Sequence, residues 1–431
     1  MGRRERNILV FPVASAPSGQ VRVMQLREAL GPSARQERPD GALRAWLLHP
    51  AGAVPVAVLA VVLLARVAHV AAVSAQGGMD NAFVVHAGRV WLDGGAPYAD
   101  RRFLYLPSAV LFAAGQAVLP APVLRVGAPV VCVGLVAGGW WCALRLFRVP
   151  ARSRFAVLGL LGLVLCWAPA GDLMELGNWT AAGVAALPGA LLLADRGRWA
   201  AAGVVLGVSV AVKPLLAPVV LLLVMARRWR ALAWAVAVPS VLCAGAALVM
   251  PDPGGFFTRT LPFLLRGGDA LMRPFDCSLP AVLPRLGVPQ VAAVAVAPAA
   301  AAAGVVCAWR RWRRADDGPG RLAETAAMLM LASYLVSRPA YEHYLVVVVP
   351  LLAAGVLRAE AAARAPWFWA ALVPQVPGLA VPLLDVSTRR AFKDAVTLCG
   401  LALVLALRCV RAPSPPGRQG DPAAEVPAPV P

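Results

Sequence analysis

Apolar residues come in long blocks along the chain, broken by short stretches rich in arginine, glycine or proline. The blocks at 234–250 and 291–309 hold no charged residue at all. A bilayer core of about 30 Å is crossed by roughly 20 apolar helical residues, and blocks of this kind recur from one end of the chain to the other. None alternates apolar and polar positions as a barrel strand does, and an open sheet would leave its edge groups unbonded in lipid. The pattern therefore predicts an all-α polytopic membrane protein with about 10–13 helical membrane segments.

The same pattern sets boundaries. Residues 1–47 are polar and arginine-rich and carry no cleavable-signal pattern, which predicts a largely disordered cytoplasmic arm, with Met24 offering an alternative start. Residues 48–410 form the integral membrane domain, its first span over 51–74, and residues 411–431, rich in proline and charge, read as a disordered cytoplasmic tail. Basic clusters at 145–154, 196–198, 227–230, 310–314 and 358–364 are cytoplasmic by the positive-inside rule. The loops at 75–103, 171–178, 251–289, 338–342 and 385–393 then face outward. Parity makes 105–120 a short re-entrant or interfacial helix, with a full crossing as the competing reading. The segment 199–225 lies between two cytoplasmic clusters yet is too short for two full crossings, which need roughly 40 residues. It predicts two short helices that meet at Lys213-Pro214.

Composition narrows the function classes. Of 431 residues, 60% are hydrophobic and 15% charged, against about 25% charged in an ordinary soluble domain. The net charge of +19 is spread over clusters between apolar blocks, so the bilayer explains it and nucleic acid does not. Lys213 and Lys393 are the only lysines, and this preference for arginine, with abundant alanine, valine, glycine and proline, reads as the codon bias of a GC-rich bacterium. The eight cysteines form no CxxC pair, which indicates neither a zinc site nor a disulfide framework. No outward group of carboxylates and histidines has metal-ligand spacing, so no metal or cofactor is expected.

Few residues could carry chemistry. Asp80, Asn81 and His86 open a helical stretch just beyond the first span, and Asp80 reads either as a helix cap or as a carboxylate available at the membrane surface. Asp93, before Gly94-Gly95, is a turn residue. Lys213 either snorkels to headgroups or meets an anionic ligand, since a lysine in so apolar a hairpin is costly. His343 is either a plain interfacial histidine or part of a polar group with Arg338, Tyr341, Glu342 and Tyr344 at one outer helix end. Arg259, Arg266, Arg273 and Arg285 stand among apolar residues in an outward loop, against the topology rule, and either headgroup contact or an anionic ligand accounts for them.

Four stretches, taken together and in order, resemble the polyprenyl-phosphate-mannose-dependent alpha-1,2-mannosyltransferases of the GT-C superfamily, glycosyltransferase family eighty-seven. They are the Asp80 helix running into LDGGAPY and the Tyr105/Pro107 step, Gly177-Asn178 opening a span, GVVLGVSVAVKPLLAPVVLLLV with Lys213 and Pro214, and SRPAYEHYLVVVVPLL with His343-Tyr344 and Pro350. The resemblance covers about residues 75–355, and the third stretch is its most specific part. Where the family often has Gly-Gln-x-Asn this chain reads Gly177, Asn178, Trp179, Thr180, and where it often has Asn-Gln-Ser it reads Asp276, Cys277, Ser278. Those departures bear on the identity of sugar and acceptor more than on reaction class.

The resemblance implies a GT-C-type bundle with extracytoplasmic loop helices and an enzyme of the bacterial plasma membrane. Its donor would be a polyprenyl-phosphate sugar, mannose by resemblance, and its acceptor an extracytoplasmic glycolipid or polysaccharide. Asp80 matches the family's catalytic base, and Lys213, with Arg273 and Arg285, would hold the donor phosphate. His86, Tyr98, Tyr105, Asn178, Ser278, His343 and Tyr344 would contact substrate. A lipid-linked-saccharide flippase or secondary transporter is the alternative, but such a protein should show paired repeats and ionisable groups at the midplane. No repeat is visible here, and the candidate residues cluster at outward helix ends.

Overall fold

The computed structural model describes residues 39–314 and 318–410, so the predicted arm up to residue 38 and the tail from 411 lie outside the described residues. The short stretch ahead of the main body, expected to lack structure, forms the helix Pro39–Leu48. Proline fits its first turn because the N–H it lacks has no intrahelical partner there.

From residue 48 onward the described chain is all-helical, without a strand among the described residues. Four helices are long and apolar enough to cross a bilayer: Ala53–Val73, Ala121–Leu146, Trp229–Val249 and Gln290–Trp312. A fifth crossing is possible through the pair Arg154–Cys166 and Ala168–Leu176, which bends by 75°. Pro169, in the first turn of the second helix, cannot continue the hydrogen bonding of the first. Most of 171–178, expected as a loop, is therefore the end of that second helix, which stops at Gly177 in the left-handed region (φ 61°).

The other apolar blocks fold as shorter helices, among them Ser108–Ala117, Thr180–Asp195 and Trp199–Val212. Prolines and the lysine of the 199–225 hairpin interrupt several of these blocks. Trp199–Val212 ends at Lys213, whose backbone is extended (φ −152°, ψ 125°), as expected of a residue that precedes proline. The chain resumes as the 3-10 helix Pro214–Val219 and the helix Val220–Met225. The loop 251–289 carries the apolar helical run Phe256–Leu265 and the short helix Leu279–Arg285.

Burial separates lipid-facing helices from the core. Only Val70 of Ala53–Val73 is buried, and the helix lies at the edge of the bundle with one face, Leu59, Val62, Leu63 and Val67, against the core. Pro319–Val336 is buried all round and acts as the central helix. At one end of this helix Glu324 accepts a hydrogen bond from Arg311 Nε (2.6 Å) and one from Ala362 N (3.0 Å), and it faces Arg408 Nε at 3.2 Å. A buried carboxylate needs such partners, because leaving it unpaired costs several kcal/mol.

Between helices in lipid the attraction comes from close packing, which small residues permit. Gly203 and Gly207, one turn apart on Trp199–Val212, lie against Ala231 and Ala235 of Trp229–Val249. A Cβ on Gly203 would collide with the Ala231 carbonyl, whereas one on Gly162 would meet nothing within 4 Å. Gly203→Ala is therefore expected to lower the thermal midpoint of the purified protein in detergent, at a cost of ~1–3 kcal/mol from overpacking. Gly162→Ala should leave the midpoint unchanged or raise it slightly, and equal midpoints for the two variants would contradict the packing described here.

Candidate active site

The site begins with a glycine pair and a single glycine in backbone contact. The turn Gly77-Gly78 has positive φ at both residues (74° and 124°). A Cβ on Gly78 would overlap the Leu176 carbonyl, and one on Gly177 would overlap the Gly77 carbonyl oxygen. Side chains are excluded at this crossing, so the start of the Met79–Leu92 helix lies directly against the end of Ala168–Leu176. Asn81 locks the contact: its Nδ2 donates to Gln76 O (2.7 Å) and its Oδ1 accepts from Trp179 Nε1 (2.8 Å).

This crossing places Asp80 beside Asn178. Gly78 occupies the N-cap without a side-chain bond, and the Asp80 carboxylate is not used as a cap. Its Oδ2 instead accepts a hydrogen bond from Asn178 Nδ2 at 2.5 Å. Asn178 Oδ1 accepts from Thr180 N (2.8 Å) and from Lys213 Nζ (2.8 Å), and Lys213 Nζ also donates to Thr180 Oγ1 at 2.9 Å. These bonds fix the amide's orientation, since the reverse would set two donors against the ammonium and an acceptor against the carboxylate. A continuous path thus runs from Asp80 through Asn178 to Lys213.

Aromatic rings complete the lysine's surroundings. Its Nζ lies 4.6 Å from the centroid of the Tyr344 ring and 5.7 Å from that of Tyr105, distances at which ring faces attract a cation. Tyr105 meets Trp179 edge-on at 5.6 Å, and the fully buried Tyr98 donates its hydroxyl to Tyr105 O at 2.9 Å. Burial raises the Asp80 carboxyl above its ordinary value, while the Asn178 hydrogen bond and the Lys213 charge pull it back down.

Asp80, Tyr105, Asn178, Lys213, His343 and Tyr344 line one cavity of about 840 Å³. His343 is buried and stacks on Tyr341 at 5.4 Å between ring centroids, and its Nε2 has no hydrogen-bond partner among the described residues. The structure does not bring the other expected residues to this cavity. His86 and Arg273 are exposed away from it. Tyr98 supports Tyr105 from behind, Ser278 is buried elsewhere, and Arg285 donates to the carbonyls of Ala281, Pro274 and Asp276. Among the described residues, no group of three or more His, Cys, Asp or Glu side chains is arranged to hold a metal ion.

The cavity also contains charged residues beyond those the resemblance assigned to the site, and two of them, Arg338 and Glu342, belong to the polar group expected around His343. Arg102 faces Asp269 at 3.2 Å, Arg338 faces Asp276 at 3.6 Å, and Arg390 faces Glu342 at 3.8 Å. Asp172 and Glu175 complete the acidic part of the lining. The spacing of Asp172 and Glu175, three residues apart in an apolar stretch, would have been the local signal for them. The arginine pairings join distant segments, and no local pattern encodes them.

The model of a family described as Glycosyltransferase family 87 matches residues 103–339, more than half of the 431 residues. Asp80 and His343 lie outside that stretch. An alpha-(1->3)-arabinofuranosyltransferase of Mycobacterium tuberculosis (strain CDC 1551 / Oshkosh) is 32% identical over 157 residues, covering 36% of this chain and 35% of that protein. The protein of the same description from strain ATCC 25618 / H37Rv matches with the same identity and coverage. The chain thus spans about a third of the length of these curated relatives (35%). No solved structure matches the chain.

The Asp80–Asn178 bond can be tested without an activity assay. In a double-mutant cycle of Asp80→Ala and Asn178→Ala, read by thermal or chemical unfolding in detergent, the two effects should couple by about 0.5–3 kcal/mol. Additive effects would show that the bond is not made.

Proposed function

The chain belongs to glycosyltransferase family 87, and from that premise we propose that it transfers a sugar from a polyprenyl-phosphate donor to a glycolipid or glycan acceptor. The site would lie on the extracytoplasmic face of a bacterial plasma membrane, where the positive-inside reading puts the Asp80 and His343 loops. The observation that carries the proposal is the Asp80 carboxylate held at a cavity wall and linked through Asn178 to a lysine.

In this reaction an acceptor hydroxyl attacks the anomeric carbon. Asp80 takes the hydroxyl proton, a new C–O bond forms, and the bond from the anomeric carbon to the phosphate oxygen breaks with its electron pair going to phosphate. A single displacement inverts the anomeric centre. The oxocarbenium-like transition state also gains from the nearby carboxylate. Two of the three N–H groups of Lys213 are taken by Asn178 and Thr180, leaving one for the departing phosphate in a partly dry site. Tyr105, Tyr344 and the unpartnered His343 Nε2 supply ring faces and a polar atom to the sugar.

Mannose is the first reading for the sugar, on the motifs given above. Arabinofuranose is the second, favoured by the description of the relatives. Offering the polyprenyl-phosphate forms of the two sugars separately to membranes containing the protein decides between them, and transfer of neither would remove the transferase reading.

Asp80→Asn is expected to cut turnover by about 10² or more, because asparagine keeps the shape but cannot take the proton. Asp93→Asn is the control: Asp93 is exposed at the end of the same helix, before Gly94, and should remain active. Near wild-type transfer by Asp80→Asn, with normal accumulation in the membrane, would exclude Asp80 as the base.

Lys213 adds a pH signature. Its charge lowers the Asp80 carboxyl, so Lys213→Met should let that carboxyl rise further. The base would then be protonated at higher pH, and the acid limb of the turnover profile should move upward in pH as turnover falls. A limb that stays in place would show that Lys213 does not act on Asp80.

A further inference from the structure

Lys213 cannot be the cavity's whole provision for an anion. It compensates Asp80 through Asn178, and two of its N–H groups are already bonded. The charge to be held also grows during the proposed reaction. A sugar-phospholipid donor is a phosphodiester with one negative charge, whereas the polyprenyl monophosphate it leaves carries about −1.5 to −2 near neutral pH. A second cation is needed where that charge develops.

Arg338 has the geometry for this role. It follows the central helix Pro319–Val336 and lines the cavity. Its guanidinium lies on the backbone of Gly267 (φ 82°), where a Cβ would overlap it. The nearest carboxylate, Asp276, is almost fully buried, and its Oδ1 is taken by Ser278 N (3.0 Å) and Ala340 N (3.1 Å). Asp276 Oδ2 stands 3.6 Å from Arg338 Nε, beyond hydrogen-bond length, and neither atom has a hydrogen-bond partner among the described residues. Asp276 therefore holds Arg338 in place electrostatically without consuming its donors.

Arg102 reaches the same turn. Its Nε and one terminal nitrogen both donate to Asp269 Oδ2 at 3.2 Å, two residues beyond Gly267. That pair is exposed, so its net attraction is small and the guanidinium can exchange partners. Two arginines thus converge on residues 267–269, and both face the cavity that Asp80 borders. A guanidinium presents paired donors that match a phosphate's oxygens better than an ammonium does.

We propose that Arg338, assisted by Arg102, forms an anion subsite that holds the phosphate of the lipid carrier and grips the monophosphate product more tightly than the sugar-bearing donor. The inference rests on the transferase reading for its ligand, but its test does not need sugar transfer.

The test uses the full chain in detergent or nanodiscs and a short polyprenyl monophosphate as probe, with the corresponding polyprenol as the uncharged comparison. The wild type is expected to bind the monophosphate in a salt-dependent manner, and Arg338→Gln to weaken this by about 10-fold or more. Polyprenol binding should not change, which a merely structural role for Arg338 would not predict. Arg338→Lys should restore only part of the affinity. If Arg338→Gln accumulates poorly because Asp276 is left unpaired, the double variant Arg338→Gln with Asp276→Asn removes both charges and should show the same loss. Wild-type affinity in either variant, or a wild type that does not distinguish monophosphate from polyprenol, overturns the subsite. If the arginine effect is seen but neither sugar is transferred from any polyprenyl-phosphate donor, the subsite stands and the transferase reading falls.

Discussion

The close approach of two glycine-bearing backbones at Gly77-Gly78 and Gly177 is the constraint on which the site depends. Any side chain there would push the Met79–Leu92 helix away from the Ala168–Leu176 helix, and Asp80 would no longer reach Asn178. The positive φ angles at these glycines disfavour other residues even before contact is considered. Local backbone permissiveness is thus converted into the position of one carboxylate. Asn81 and Trp179, bonded to each other across the crossing, hold the result without facing the cavity themselves.

Placing a lysine in an apolar hairpin is costly, and the structure offsets that cost locally. Thr180 and Asn178 take two of its protons, ring faces of Tyr344 and Tyr105 stand near its charge, and Asp80 lies one hydrogen-bonded step away. Desolvated ion pairs seldom add net stability. An arrangement of this kind in a cavity wall fits the role proposed for it, preorganisation for charge that would appear during a reaction.

Much of this was legible in the sequence because it was written in short-range patterns. Apolar blocks gave the membrane class, and Lys213-Pro214 gave the break in the hairpin, since a residue before proline avoids helical geometry. Asp80, Asn178, Lys213 and the His343-Tyr344 pair lie far apart in the chain, and it was family-like motifs that grouped them. Arg285 and Tyr98 looked equally suitable, but their donors serve backbone carbonyls, a use that only three-dimensional packing reveals. Arg102 was obscure for the converse reason, and Arg338, expected in the polar group around His343, gave no sign of the turn it lies against. Their place in the cavity depends on a turn at 267–269 to which neither is close in sequence. Hydropathy marked the apolar blocks but not where some would break into shorter helices, such as Ser108–Ala117 and Trp199–Val212, beside the four or five long ones.

The bond between Asn178 and Asp80 also makes the two carboxylate oxygens inequivalent. Oδ2 is engaged by the amide, and the amide is itself immobilised by Lys213 and Thr180. In the mechanism proposed above, Oδ1 would be the oxygen that receives the proton, and the base would accept from one direction relative to the cavity wall. A hydroxyl that approaches from that direction presents its lone pair to one face of the sugar only. Which hydroxyl of a polyhydroxylated acceptor reacts would then be set as much by an asparagine rotamer as by the pocket that surrounds the sugar.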